Sequence, residues 1–229
     1  MDPDFFDQFT HASWDIPLWS TLAARLGGPI LEVGCGTGRV CGPLRDEGHD
    51  IWGIELDPDL AARSIERIGP RVFIGDLHSL RLGRHFPTVF VPGNTLALFE
   101  DPTTALRNIR SFMTNHGNLV FDLVMPGDRP WAQAPFRWSR ERAPLIESGR
   151  YDPVTRRHDG RIQSGTAIAT RTTWIRSLPE WSTLLRGAGL QPTGCFGSGG
   201  APATEADAHV FILARAQLPD PSGSADSTR

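Results

Sequence analysis

The sequence predicts an α/β protein built on a mostly parallel, twisted sheet flanked by helices. Three observations predict it. Short apolar runs alternate with amphipathic stretches between Ile30 and Val124, the rhythm of βαβ units. A glycine-rich loop follows the first apolar run directly, where such sheets place their ligands. After Pro126 the alternation stops and β-like pieces follow one another without a helix, which marks an antiparallel addition to the parallel core.

Residues 3–26 read as one or two helices, with Leu18, Leu22 and Leu26 four apart on one face. "ILEV" is a short buried strand and "GRVCGPLRDEG" a helix opened by glycine; "DIWGIEL" is the second strand, "DPDLAARSIERIG" a helix and "RVFIGDL" the third strand. "TVFVPGN" is a strand, "DPTTALRNIRSFMTN" a helix and "NLVFDLV" a strand. Asp57-Pro58 and Asp101-Pro102 each offer a carboxylate cap followed by proline at the first helical position. From Trp131 to Ser177 the pieces "FRWSRERAP", "LIESGRYDP" and "TAIATRTTWIRS" read as β; "LPEWSTLLRGAGL" restores a helix and "AHVFILARA" closes with a strand. The expected organisation is one domain over 1–216: a helical lid at 1–26, a core at 28–126, a β cap at 131–177 and a last helix and strand at 178–216. The segment 217–229, "QLPDPSGSADSTR", has the Pro, Ser, Gly and Asp content of a disordered tail.

Composition narrows the function. The chain has 229 residues, 39% hydrophobic and 21% charged, with a formal net charge of −3. No apolar run approaches the roughly 18–20 residues of a membrane span, and "MDPDFFDQFTHASWD" is acidic where a secretory signal is basic and then apolar. Cys35, Cys41 and Cys195 form no CxxC pair and leave an odd thiol, which fits a reducing, cytoplasmic setting and opposes a disulfide scaffold or a metal site. All 23 basic residues are arginine and are outnumbered by 26 acids, so nucleic acid and membrane surfaces are poor partners. Monomer and homodimer both remain open.

The central motif is "ILEVGCGTGRV". Gly34, Gly36 and Gly38 stand at alternate positions after Glu32. Bare backbone at a strand's carboxyl end permits positive φ and close approach of a ligand, and the helix that follows offers N–H groups to an anionic group. A dinucleotide fingerprint requires G-x-G-x-x-G; here the third glycine comes one residue early.

With Glu32 before it, this loop resembles the first motif of the class I S-adenosylmethionine-dependent methyltransferases, E/D-x-G-x-G-x-G. Further matches occur in order: "GIELD" puts Glu55 at the tip of the second strand, 17 residues after Gly38, "FIGDL" puts Asp76 and Leu77 at the third, "TVFVPGN" ends the fourth, and "HGNLVFDLVMP" matches the fifth. They cover about residues 28–126. The likeness is greatest to small bacterial methyltransferases of small molecules, in "DIPLWSTLAARLGGPILEVGCGTGRV" and "LPEWSTLLRGAGL". It implies a Rossmann-like methyltransferase fold with a helical lid and an inserted antiparallel segment. It also implies a donor site made by Glu32, Gly34, Cys35, Gly36, Gly38, Glu55, Leu56, Asp76, Leu77 and Asn94. There Glu55 would accept from both ribose hydroxyls, Asp76 from the adenine amine, and Asn94 would face the methionine end. Two departures bear on the acceptor: the lid has Phe5, Phe6 and Trp14 where the family often has tyrosine, and "VPGNT" replaces the Asn/Asp-Pro-Pro-Tyr of nucleic-acid amino methylation.

Methyl transfer from a sulfonium is an in-line displacement that needs alignment and exclusion of water more than a catalytic constellation. His11, in the lid, is the candidate base, against the plain reading of an exposed helix histidine. Trp14 and Trp138 are candidate substrate contacts within a set of lid and cap tryptophans that includes Trp19, Trp131 and Trp174; the alternative is that they join cap to core. His116 and His209 read as structural. The expected function is transfer of a methyl group to an O or N of a small-molecule acceptor. Two other readings stand beside it: a cofactor-binding module that transfers nothing, serving regulation or interaction, and an NAD-dependent oxidoreductase, for which Glu55 would equally serve the ribose.

Overall fold

The computed structural model describes residues 1–10, 12–125, 136–204 and 206–217. Two helices come first, α1 (Pro3–Thr10) and α2 (Ile16–Leu26). The core then alternates: β1 (Ile30–Val33), α3 (Cys41–Asp46), β2 (Ile51–Glu55), α4 (Pro58–Ile68), β3 (Val72–Ile74), β4 (Phe86–Val91), a 3₁₀ turn (Thr95–Leu98), α5 (Thr103–Phe112) and β5 (Met113–Val124). The second sheet is β6 (Phe136–Arg142), β7 (Leu145–Asp152), β8 (Arg157–Ser164) and β9 (Ala167–Trp174); α6 (Leu178–Gly187), β10 (Leu190–Gly197) and β11 (His209–Ala216) complete the chain.

The main sheet runs β10-β11-β5-β4-β1-β2-β3, with β5, β4, β1, β2 and β3 parallel, β11 antiparallel to β5, and β10 antiparallel to β11. β1 lies between β2 and β4, so the chain leaves it in one direction along the sheet and returns on its other side. That reversal is the point at which loops diverge and open a crevice at the carboxyl edge. Every residue of β1 is buried, as a strand covered on both faces requires. One core cluster, around Phe86, Phe112, Phe121 and Trp181, packs α5 and α6 on one face; a second, around Trp19, Leu44, Phe90 and Phe211, packs α2 and α3 on the other. The buried stripe of α2 is Trp19, Leu22 and Ala23, with Leu18 and Leu26 at its margins.

The cap has a fourth strand, β8, that the sequence reading did not mark, and residues 113–115, expected in a helix, open β5; other differences lie at caps and edges. Asp57 caps α4 by accepting from the Asp59 and Leu60 N–H groups, at 2.9 and 3.4 Å. Asp101 accepts from Thr103 N at 2.9 Å, and α5 begins at Thr103, one residue beyond the expected proline start. β10 is a strand that no periodicity announced, because Pro192, Gly194 and Gly197 read as a turn. An edge position tolerates them, with a register irregularity between Pro192 and Gly194. Ser177 caps α6 through a reciprocal box with Glu180. Ser177→Ala is expected to lower stability by about 1 kcal/mol, read as a shift of the urea midpoint at unchanged slope. No helix among the described residues is long and apolar enough to cross a membrane. The expected disordered tail, apart from Gln217, lies outside the described residues.

Candidate functional site

The carboxyl ends of β1, β2, β3 and β4 enclose a cavity of about 470 Å³, roofed by α1 and bounded on one side by β9. That is the size of a small-ligand site, within the usual range of about 300–1,000 Å³. The floor is the glycine loop. Gly34, Gly36 and Gly38 have φ of 71°, 55° and 93°, the left-handed region that side chains disfavour. A Cβ on Gly34 would stand 2.9 Å from Thr95 Cγ2, and one on Gly36 would stand 2.9 Å from the Phe6 ring.

The loop's N–H groups are committed within the protein. Those of Gly34 and Cys35 donate to Ile54 O at 2.8 and 3.0 Å, that of Gly36 to Glu55 Oε2 at 2.8 Å, and that of Gly38 to Cys35 O at 2.9 Å. These four glycine-loop donors are therefore not available to an anion. The strand-to-helix turn closes on its own carbonyls and on Glu55, and α3 is only six residues long. A diphosphate would find those donors occupied and two buried carboxylates, Glu32 and Glu55, in the wall.

The two acids differ. Glu55 accepts three backbone N–H bonds, from Gly36 and, at 2.8 and 2.9 Å, from Leu56 and Asp57. It thereby ties the end of β2 to the glycine loop. Glu32 is 2% exposed, and its Oε2 is the one buried side-chain polar atom among the described residues without a hydrogen-bond partner. Burial pushes its carboxyl well above the usual carboxylate range, and Cys41 adds to this; the Arg39 guanidinium pulls the other way. An unpartnered buried acceptor is costly, so a ligand carrying a cation or a strong donor fits this position.

Ion pairs hold the roof to the floor. Asp15, 3% exposed, accepts a fork from Arg39 at 2.6 and 3.0 Å and the Trp19 Nε1–H at 3.0 Å, joining α2 to the turn before α3. Asp7 on α1 accepts from the Thr37 hydroxyl and, at 3.0 Å, from Arg67. These contacts set Phe6 and Phe9 over the cavity.

Residues 31–121 match the family model described as "Methyltransferase domain". This stretch is thus similar to methyltransferase domains. Among curated relatives, the chain is 33% identical over 131 residues to an uncharacterized methyltransferase of Geobacillus sp. (strain WCH70), covering 54% of this chain and 60% of that protein. The chain thus spans about three-fifths of that relative's length. Among solved structures, the CcbJ methyltransferase from Streptomyces caelestis superposes with a TM-score of 0.78 at 22% identity, covering 90% of this chain and 96% of that one. S-adenosylmethionine-bound CalS10, an amino pentose methyltransferase from Micromonospora echinaspora, does so with 0.64 at 18%, covering 89% and 92%.

The matched stretch gathers Glu32, Gly34, Cys35, Gly36, Glu55, Leu56, Asp76 and Leu77 around the cavity. Gly38 is not in the wall; a Cβ there would meet Arg67 and Ser64 at 3.2 and 3.3 Å, so its bareness serves packing against α4. Asn94 is outside the wall too. Its Oδ1 accepts from Val124 N at 3.1 Å and its N–H donates to Asp122 at 3.2 Å, which fastens the end of β4 to β5. Asp76 accepts from the His78 N–H at 2.8 Å, and this, with the nearby His78 ring, lowers its carboxyl below the usual range.

Trp14 lies away from the cavity, edge-on to His209 at 4.8 Å between ring centres. Trp19 is in the core, and the aromatic residues of the wall are Phe6, Phe9 and Phe99. His11 and the side chain of Trp138 lie outside the described residues. His209 Nε2 stands 2.7 Å from buried Asp122. Sequence reasoning missed Phe9, Phe99 and the β9 residues Thr170, Arg171 and Thr172. Arg171 NH2 reaches Gly93 O at 2.7 Å, a contact across 78 positions that no local pattern signals.

Proposed function

We propose that this protein transfers the methyl group of S-adenosylmethionine to an O or N atom of a small-molecule acceptor. One observation carries the reading: a buried, unpartnered Glu32 oxygen beside a glycine loop whose own N–H groups are already satisfied. The donor's methionine end carries an ammonium, which suits that oxygen. Glu55 has lone-pair capacity left for ribose hydroxyls after its three backbone bonds, and Asp76 with Leu77 would hold the base. When bound, S-adenosylmethionine supplies a methyl group on a positively charged sulfur, displaced in line by the acceptor.

The protein's part is orientation and exclusion of water. Phe6 and Phe9 close the cavity from above, and Pro92, Gly93 and Thr95 form the wall through which the acceptor atom approaches. In this reading residues 1–216 act as one unit, with α1 and α2 as lid and β6–β9 as acceptor cap. The three free thiols support a cytoplasmic location. CalS10, an amino pentose methyltransferase, is a precedent for a small, polar acceptor.

Calorimetric titration with S-adenosylhomocysteine, with NAD in parallel, tests the donor site. The sulfur ligand is expected to bind and NAD to give no heat. Glu55→Ala is expected to weaken binding tenfold or more, the worth of about 1.5–3 kcal/mol for hydrogen bonds to a charged group. NAD binding alone, or unchanged affinity in the variant, would remove the proposal. Binding without turnover over a broad acceptor panel would favour a module that holds the cofactor and transfers nothing.

A further inference from the structure

The second sheet has two unlike faces. Ile162 and Ala169 line the donor cavity. Alternation along the strands places Arg137, Arg150, Asp159 and Thr172 in one cross-strand row of the opposite face, with Ser148, Arg161 and Thr170 in the next. This face bounds a concavity of about 540 Å³.

Its charge is unbalanced. Arg137 and Arg150 are directly opposed across β6 and β7, a placement that costs free energy for like charges. Among the described residues neither guanidinium has a side-chain hydrogen bond or a close ion pair, though Arg150 lies within electrostatic reach of Asp152 and Asp159. Asp159, the one acid in the concavity, is occupied by Arg157 Nε and the Thr172 hydroxyl, each at 2.8 Å. Asp152, nearby, accepts from the Val154 and Thr155 N–H groups at 2.9 and 3.5 Å. Among the described residues Arg161 is held by Gln163 alone, at 3.1 Å. Guanidinium groups that outnumber the acids beside them, with those acids already hydrogen-bonded to other partners, favour an anion between them.

The concavity and the donor cavity border the same strand. β9 is an edge strand, and its residues Thr170, Arg171 and Thr172 line both spaces. A molecule lying over that edge reaches both.

We propose that the arginine face of β6–β9 is a phosphate-binding subsite for the methyl acceptor. The acceptor would lie across β9, its phosphate or diphosphate among Arg137, Arg150 and Arg161 and its methylated atom in the donor cavity. This assignment rests on the methyl-transfer reading. Phosphate is preferred to carboxylate because several forked donors from different directions suit a tetrahedral group of more than one negative charge.

The test is calorimetric titration of the whole chain with inorganic pyrophosphate, with citrate as the carboxylate probe, at two salt concentrations. The double variant Arg137→Ser/Arg150→Ser and the single variant Arg161→Ser are compared with the native chain. All three positions are exposed, so the variants should melt as the native protein does. Pyrophosphate is expected to bind more tightly than citrate, to weaken with salt, and to bind tenfold or more weakly in the double variant, while S-adenosylhomocysteine binds all forms equally. Absence of pyrophosphate binding, or equal binding in the variants, overturns the subsite while the donor site stands. Citrate binding as tight as pyrophosphate overturns the preference for phosphate. Variants that dissociate a native dimer without any pyrophosphate effect would assign the face to a second copy of the chain. Pyrophosphate binding in a protein that fails to bind S-adenosylhomocysteine would overturn the acceptor assignment together with the methyl-transfer reading.

Discussion

Gly36→Val is expected to abolish measurable S-adenosylhomocysteine binding, a loss of at least a hundredfold, while the protein still folds. Gly36 has a φ of 55°, and an added Cβ would stand 2.9 and 3.0 Å from two carbons of the Phe6 ring. A β-branched residue there carries backbone strain of about 1–3 kcal/mol and drives the lid away from the loop. It also disturbs the 2.8 Å bond from Gly36 N to Glu55, so floor, lid and ribose acid are displaced together. Gly48→Ala is the control. Gly48 has a φ of 91° with nothing within 4 Å of an added Cβ, so it carries comparable strain without contact to the cavity. The control should melt lower yet bind normally. If Gly36→Val binds as the native chain does, the loop is not the donor's floor.

Glu32→Gln should separate stability from binding. Burial raises the Glu32 carboxyl well above its ordinary value, so the folded protein holds that proton more tightly than the unfolded chain. The stabilising contribution is therefore complete below the unfolded value of about 4.3 and is lost as pH rises through the raised one. In that window the native protein should lose about 1.4 kcal/mol per pH unit relative to the glutamine variant. The two should be equally stable in acid, and the variant should be the more stable at neutral pH. Binding should move the other way: an amide oxygen offers the donor's ammonium no negative charge, and affinity should fall roughly ten- to a hundredfold, the range for hydrogen bonds to charged groups. Urea titrations from pH 4 to 8 and a ligand titration at neutral pH check both. A native stability flat with pH would show that Glu32 already has a partner. A variant that binds normally would place the ammonium elsewhere.

The parallel core was legible because its signals are local. "ILEV", "GIEL" and "TVFV" are short apolar runs with glycine or acid at the carboxyl end, and a strand followed directly by a glycine loop has few alternatives. Asp57-Pro58 marks a helix start by chemistry confined to a few residues. β10 was not legible, because its proline and glycines are tolerated only at a sheet edge, and edge position belongs to the assembled sheet. The tryptophans misled for a related reason. Trp19 looks like a pocket wall in a lid helix, yet the helix turns it inward onto Phe90 and Phe211, at 5.0 and 5.5 Å between ring centres.

By itself the sequence determined the order of strands and helices in the parallel core and the position of the glycine loop. It also determined which acids, Glu32, Glu55 and Asp76, stand at strand ends, because each depends on backbone chemistry within about one turn or one strand. Only the tertiary structure decided that Glu32 Oε2 lacks a partner while Glu55 has three, that Phe6 rests on Gly36, and that Asn94 serves the sheet. It also decided that Arg137 and Arg150 face each other on a concave surface sharing β9 with the donor cavity. These are meetings of residues from separate segments. Packing decides them: burial of apolar faces selects one arrangement of the segments, and each polar group then keeps whatever partner that arrangement leaves within hydrogen-bond reach.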